Sequence, residues 1–197
     1  HGAQRTDEGK SGQAIAFNDP TDHITTDLET KGFPWTVSAW VNLEENDQSE
    51  AILLESADGA IKLKQKETGK AGFTREGYDF SFNTAIPTGR WVHVAFRGDL
   101  NGTSLFIDGE LQETISDNTL LPVATIGSKT HAFKGKLDEL RVFDRIVASH
   151  EIAEEAGAPS WMINIAAYKP AKASSVEVDD LTPDLAFDEN ESTRWSS

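Results

Sequence analysis

Apolar and polar side chains alternate along most of the chain up to Phe143. Gln13–Phe17, Trp35–Val41, Ala60–Lys64, Tyr78–Phe82, Trp91–Phe96 and Leu137–Phe143 each carry the two-residue period that puts successive side chains on opposite faces of a strand. Thr103–Ile107 and Glu110–Thr114 are separated only by Asp108-Gly109, a pair that accepts the positive φ of a type I′ turn, so an antiparallel hairpin is predicted there. Asn101-Gly102 and Ala57-Asp58-Gly59 mark further turns. Trp91–Phe96 is apolar on both faces and needs cover on both, which requires stacked sheets. The expected fold class is therefore all-β: an antiparallel β-sandwich. One short helix is predicted from Ser149 to Ala156, capped by Ser149, with Glu151 near its positive end and Gly157 stopping it.

Composition narrows the chemistry. The 197 residues suffice for one domain plus part of another, and a chain of this size can bury a core without staples. There is no cysteine, which removes thiol nucleophiles, zinc-thiolate sites and redox centres together. A net charge of −15 repels phosphate backbones and anionic lipid, so nucleic acid is not an expected partner. No stretch is long and apolar enough for a membrane span, so no membrane insertion is expected, and residues 1–30 lack the pattern of a signal peptide. A chain that starts at His1 rather than Met is read as a fragment or processed product. Residues 1–157 form the expected sandwich and 158–163 a linker around Ala158-Pro159-Ser160. Residues 164–197 carry too little apolar surface for a core of their own.

Five segments in order resemble the laminin-G-like, concanavalin-type jelly-roll modules of bacterial extracellular proteins. They are Gly9–Phe17, Trp35–Val41, Arg90–Ala95, Ser104–Glu110, and Phe133–Phe143 leading to Ala148–Ile152. The resemblance implies an extra strand before the Gly9-Lys10-Ser11-Gly12 segment, and the chain is read as starting too late to contain it. Asn164–Ser175 and Leu185–Ser197 are similar to the opening of a discoidin, or coagulation-factor type C, galactose-binding-like domain. Together the two resemble the accessory region of large secreted bacterial glycoside hydrolases. They imply an extracellular or cell-surface carbohydrate-binding module whose partners are glycans and other domains of the same polypeptide. A structural spacer or adhesion module without sugar binding is the alternative.

Strand alternation puts Asp138 on the face of Leu140 and Val142, read as the core side, where its charge needs compensation. Two readings stay open. One is a calcium ion, completed by oxygens of the Asn18–Asp22 loop, Asn18 and Asp22 among them, if the two ends of the module pair as in the family resembled. The other is an ion pair with a nearby Lys or Arg, or simple solvent exposure at the sheet rim. Asp188, Asn190 and Thr193 match the loop that holds a structural calcium in discoidin-like modules. Sugar binding needs aromatic faces and a few fixed polar groups. Trp35, Tyr78 and Phe133 lie near turns with Arg75 and His131 close in sequence, and these five form the expected binding rim. Trp40 and Trp91 are read as core, and Trp161 as a wedge between modules. His1, His23, His93, His131 and His150 show no zinc-protease spacing, and no nucleophile elbow or phosphate loop is present. Asp138 and Glu139 are strand neighbours that point apart, and Glu177-Val178-Asp179 is read as a coincidence. No catalytic residue is assigned in this chain, and the parent protein is expected to be a glycoside hydrolase.

Overall fold

A computed structural model of the chain describes residues 1–45 and 48–158, so Trp161 and the discoidin-like segment 164–197 lie outside the described residues. The strands are β1 (Gln4–Thr6), β2 (Ala14–Phe17), β3 (His23–Thr25), β4 (Trp35–Leu43), β5 (Ala51–Ser56), β6 (Gly59–Lys64), β7 (Gly72–Arg75), β8 (Tyr78–Ser81), β9 (Trp91–Asp99), β10 (Gly102–Ile107), β11 (Glu110–Ile115), β12 (Thr125–Gly127) and β13 (Gly135–Phe143). One helix, α1 (Ser149–Glu155), follows. They make a seven-stranded sheet ordered β1-β2-β13-β4-β9-β10-β11 and a six-stranded sheet ordered β3-β12-β5-β6-β7-β8. The all-β sandwich is as the alternation predicts. The strand before Gly9 is present after all: β1 pairs antiparallel with β2, Gln4 opposite Ala16.

The period of two decides what faces inward. On β4, Trp35, Val37, Ala39, Val41 and Leu43 share one face and are all buried. Val92, Val94 and Phe96 of β9 and Leu105 of β10 continue that layer. Leu53, Leu54, Ile61, Leu63, Phe73 and Phe82 join it in the same core from the six-stranded sheet's side. Removing each such side chain from water contributes roughly 1.5–3 kcal/mol before the entropy of ordering is set against it. Trp35 lies over Gly98, its register partner on β9, where a Cβ would fall 2.3 Å from the indole. The close approach is open only to glycine.

The other face of the seven-stranded sheet is covered as well. Ala95 and Phe106 point outward and pack with Val147, just before α1, and Ile152 of α1. Gly109, in the β10–β11 turn at φ +86°, lets the helix approach so closely that a Cβ would meet the Ala153 Cα at 2.8 Å. The N-cap of α1 is Ala148, one residue before the predicted Ser149, and the missing cap side chain is replaced by Glu151 reaching back to the Ala148 N–H at 2.9 Å. Two parallel hydrogen bonds of 2.8 Å from Arg145 reach the same carboxylate. That guanidinium holds the Glu151 carboxyl down to about 2.

Under the helix C-terminus, Glu155 accepts from Ser38 Oγ at 2.7 Å and pairs with Arg141 Nη1 at 3.1 Å. His93 Nε2 stands 3.8 Å from the same carboxylate, and His93 Nδ1 has no hydrogen-bond partner among the described residues. Burial pushes the His93 imidazole below its usual range, against the opposing pull of Glu155 and Asp108 and with the help of Arg141.

Two outcomes follow from this packing. Gly98→Ala should lower stability by about 1–3 kcal/mol in urea denaturation, with a smaller loss in a Trp35→Phe background. Because His93 titrates lower folded than unfolded, the unfolded chain binds more protons below about pH 6.5. Stability should then fall as pH drops through that value, and His93→Gln should remove this part of the slope in thermal melts between about pH 5 and 7.

Candidate functional site

Hairpin turns one strand pair apart lie at the same end of a meander. The β5–β6 turn, with Asp58, and the β7–β8 turn, with Glu76 and Gly77, are therefore neighbours, joined by a hydrogen bond from Glu76 N–H to the Asp58 carbonyl at 2.9 Å. Glu76 and Gly77 both have positive φ, +52° and +81°. The two-residue turn folds tightly and leaves the Glu76 side chain in solvent. Two further segments close this end: the β3–β4 connection and the β11–β12 connection. Lys31 and Leu121 exchange both backbone hydrogen bonds at 3.0 Å, which ties one to the other.

The four segments enclose a cavity of about 510 Å³. Phe33, Leu120 and Pro122 give it apolar walls, Thr30 and Ser56 hydroxyls, Asp58 and Glu76 carboxylates, and Arg75 a cation. That volume and mixture are those of a small-molecule site. Leu120, one of the lining residues, is large, apolar and half exposed.

The wall opposite the turns is held by side chains that reach for backbone carbonyls. Arg75 Nη1 donates to the Asn118 carbonyl at 2.6 Å and to Asn118 Oδ1 at 3.3 Å. Its guanidinium lies over the Phe80 ring at 4.9 Å, with Asp117 3.7 Å away. Trp35 Nε1 donates to the Thr119 carbonyl at 2.9 Å, and Thr26 Oγ1 to the Val123 carbonyl at 2.5 Å. Segment 118–123 has little regular structure, yet it is fixed carbonyl by carbonyl.

The five predicted rim residues separate. Arg75 lines the cavity, and Tyr78, its register partner, stands beside it, 73% exposed. Trp35 is not at the rim: it is fully buried, and the outward tryptophans are Trp40 and Trp91, each partly exposed. Both assignments are reversed because Trp40 shares the parity of Thr36 and Ser38, not that of the core residues. Lys10 covers Trp40, its Nζ 4.0 Å from the ring, and His93 meets it edge-on. Phe133 is also core rather than rim, 4.7 Å from the Phe17 ring. His131 lies at the opposite end of β5, where its carbonyl accepts from Ile52 N–H, with its ring 3.8 Å from Glu50.

Asp138 faces away from the core. A bulge between Asp138 and Arg141, with Glu139 at φ +49°, inserts a residue and breaks the period, so Asp138 and Leu140 are on opposite faces. Its carboxylate accepts from Ser11 N–H at 2.9 Å and Glu139 N–H at 2.8 Å, which supplies the compensation without a cation. Asp22 accepts from the backbone of Asn18 and Asp19 at 2.7 and 3.1 Å. Gly135 pairs with Phe17 and Leu137 with Ile15, so Asn18 and Asp138 stand about 13 Å apart along the strands. Asp138, Asn18 and Asp22 do not fit one shared calcium ion, and among the described residues no group of three or more His, Asp or Glu is placed to hold a metal. Asp188, Asn190 and Thr193 lie outside the described residues. No helix among the described residues is long and apolar enough to cross a membrane.

A family described as the concanavalin A-like lectin/glucanases superfamily matches residues 10–153. The chain belongs to that superfamily. No curated protein matches it in sequence. Among solved structures, this member of the superfamily is similar to domain 4 of AbnA, an extracellular arabinanase of Geobacillus stearothermophilus, solved with arabinotriose. The TM-score is 0.63 at 22% identity, over 78% of this chain and 81% of that one. It is similar to Trypanosoma rangeli sialidase at TM-score 0.55 and 15% identity, over 82% of this chain and 29% of that one. A Bacteroides ovatus protein provisionally described as carbohydrate-binding gives TM-score 0.58 at 16% identity, over 72% of this chain and 46% of that one. In the last two, the superfamily fold corresponds to less than half of the longer chain.

If Arg75 holds the cavity wall, Arg75→Ala should speed amide hydrogen exchange at Leu120 and Leu121 severalfold, read by mass spectrometry or NMR. Tyr78→Ala should leave those amides unchanged.

Proposed function

We propose that this chain is a non-catalytic carbohydrate-binding module, an accessory to a secreted multidomain bacterial glycoside hydrolase, that tethers the enzyme to glycans. The observation that carries the reading is the cavity at the Arg75 end. Phe33, Leu120 and Pro122 offer apolar surface for sugar C–H groups, beside hydroxyl and carboxylate oxygens for sugar O–H groups. The superfamily of lectins and glucanases supports it, as does the likeness in fold to an arabinanase domain solved with arabinotriose.

The mechanism is avidity. A weak sugar contact on one module keeps a linked catalytic domain at high effective concentration near its substrate. Residues 164–197, as the opening of a discoidin-like domain, would connect the module to the rest of the polypeptide. The setting is the cell surface or the exterior.

Titration calorimetry of the full chain with arabino-, galacto- and xylo-oligosaccharides tests the assignment. Millimolar or tighter binding of at least one neutral oligosaccharide is expected, weakened severalfold by Leu120→Ala with the melting temperature unchanged. Absence of binding by every sugar at millimolar concentration would instead make the chain a spacer or adhesion module.

A further inference from the structure

The cavity holds one cation and two anions, and they are not equally free. The Arg75 guanidinium is occupied: Nη1 is on the Asn118 carbonyl and side chain, Asp117 lies 3.7 Å from Nη2, and the Phe80 ring covers one face. Its geometry is that of a brace for the cavity wall. A carboxylate ligand seeking a two-pronged guanidinium contact would have to displace those partners. Asp58 and Glu76 differ. Both are exposed and line the cavity, their turns are locked side by side by the Glu76 N–H to Asp58 carbonyl bond, and neither side chain has an ion-pair partner among the described residues. Two carboxylates that only accept hydrogen bonds suit a ligand that only needs to donate them, and they repel another carboxylate.

We infer that the cavity selects by charge: it prefers neutral oligosaccharides, with Asp58 and Glu76 accepting from hydroxyls, over uronic and sialic acids. Arg75 is a positioning residue for the Asn118–Leu120 wall and not an anion receptor. The inference rests on the proposed sugar-binding function and names the ligand class of the same site. The surplus negative charge of the whole chain, −15, acts in the same direction at longer range. Two carboxylates about 6 Å from a ligand charge disfavour it by about tenfold in water, and the effect is screened as salt rises.

The test compares matched pairs on the full chain by calorimetry: galacto-oligosaccharide against galacturonate oligomer, and lactose against sialyllactose, each at low and high salt. The neutral member should bind about tenfold more tightly at low salt, with a ratio that shrinks at high salt and falls towards one in the double variant D58N/E76Q. Urea denaturation of that variant confirms that it is folded, and Asp58→Asn alone, at an exposed turn, serves if the double variant is not. Arg75→Lys, which keeps the charge but loses the fork, should weaken neutral and acidic sugars alike. Equal binding of the acidic partner, a ratio unchanged in the carboxamide variants, or loss of acidic-sugar binding alone in Arg75→Lys overturns the inference. Failure of every sugar, neutral and acidic, removes the sugar-binding assignment itself, and this inference with it.

Discussion

The site end of this sandwich depends on one buried group, the Trp35 indole. Its ring fills the space that Gly98 leaves open, and its N–H reaches the Thr119 carbonyl. A buried indole N–H without a partner would cost about 1–3 kcal/mol, so packing in the core and the path of the β11–β12 connection are coupled. Arg75, Lys31 and Thr26 take the carbonyls of Asn118, Leu121 and Val123 in the same segment. A stretch with little regular structure thus gets its shape from the two sheets beneath it, and the cavity has a preformed wall. Preorganisation of this kind lowers the ordering cost of binding, which matters most for ligands that bind weakly.

The opposite side of the seven-stranded sheet shows a different use of polar groups. The Gly9–Gly12 segment is docked by Asp138 taking the Ser11 N–H and by Lys10 covering Trp40, while Glu155 anchors the end of α1 to Ser38 and Arg141. These contacts close the outer face around an apolar patch of Ala95, Phe106, Val147 and Ile152. Asp138, a candidate metal ligand in the sequence, is here a structural clamp. At the turn end, by contrast, Asp58 and Glu76 line the cavity with no ion-pair partner among the described residues.

Much of the fold was legible in the alternation, and the exceptions have physical causes. β4, β6, β9, β13 and the β10–β11 hairpin have enough two-residue period to be read directly. β3 and β12 are three residues each, too short for a pattern, and Ala51–Leu54 of β5 is a continuous apolar run broken by register shifts. Alternation puts Asp138 on the wrong face because a bulge at Glu139 adds a residue that it cannot anticipate. Parity along β4 does separate Trp35 from Trp40, and closeness to a turn was the weaker guide. Of the cavity, Arg75 was identified from sequence and Asp58-Gly59 only as a turn. That its partner turn at Glu76-Gly77 sits at the same end follows from the hairpin order, but nothing local to Asn118–Pro122 signals that they form the facing wall. Such a wall comes from long-range hydrogen bonds.

The most direct measurement of the central claim, that ligand meets this molecule at the Arg75 end of the sandwich, is backbone amide NMR of the chain titrated with a neutral oligosaccharide. The account predicts shifts concentrated at Gly59, Glu76, Leu120 and Leu121, whose segments enclose the cavity. Shifts centred on the outer face of the six-stranded sheet around Lys62 and Asp79, with those amides unmoved, would contradict it.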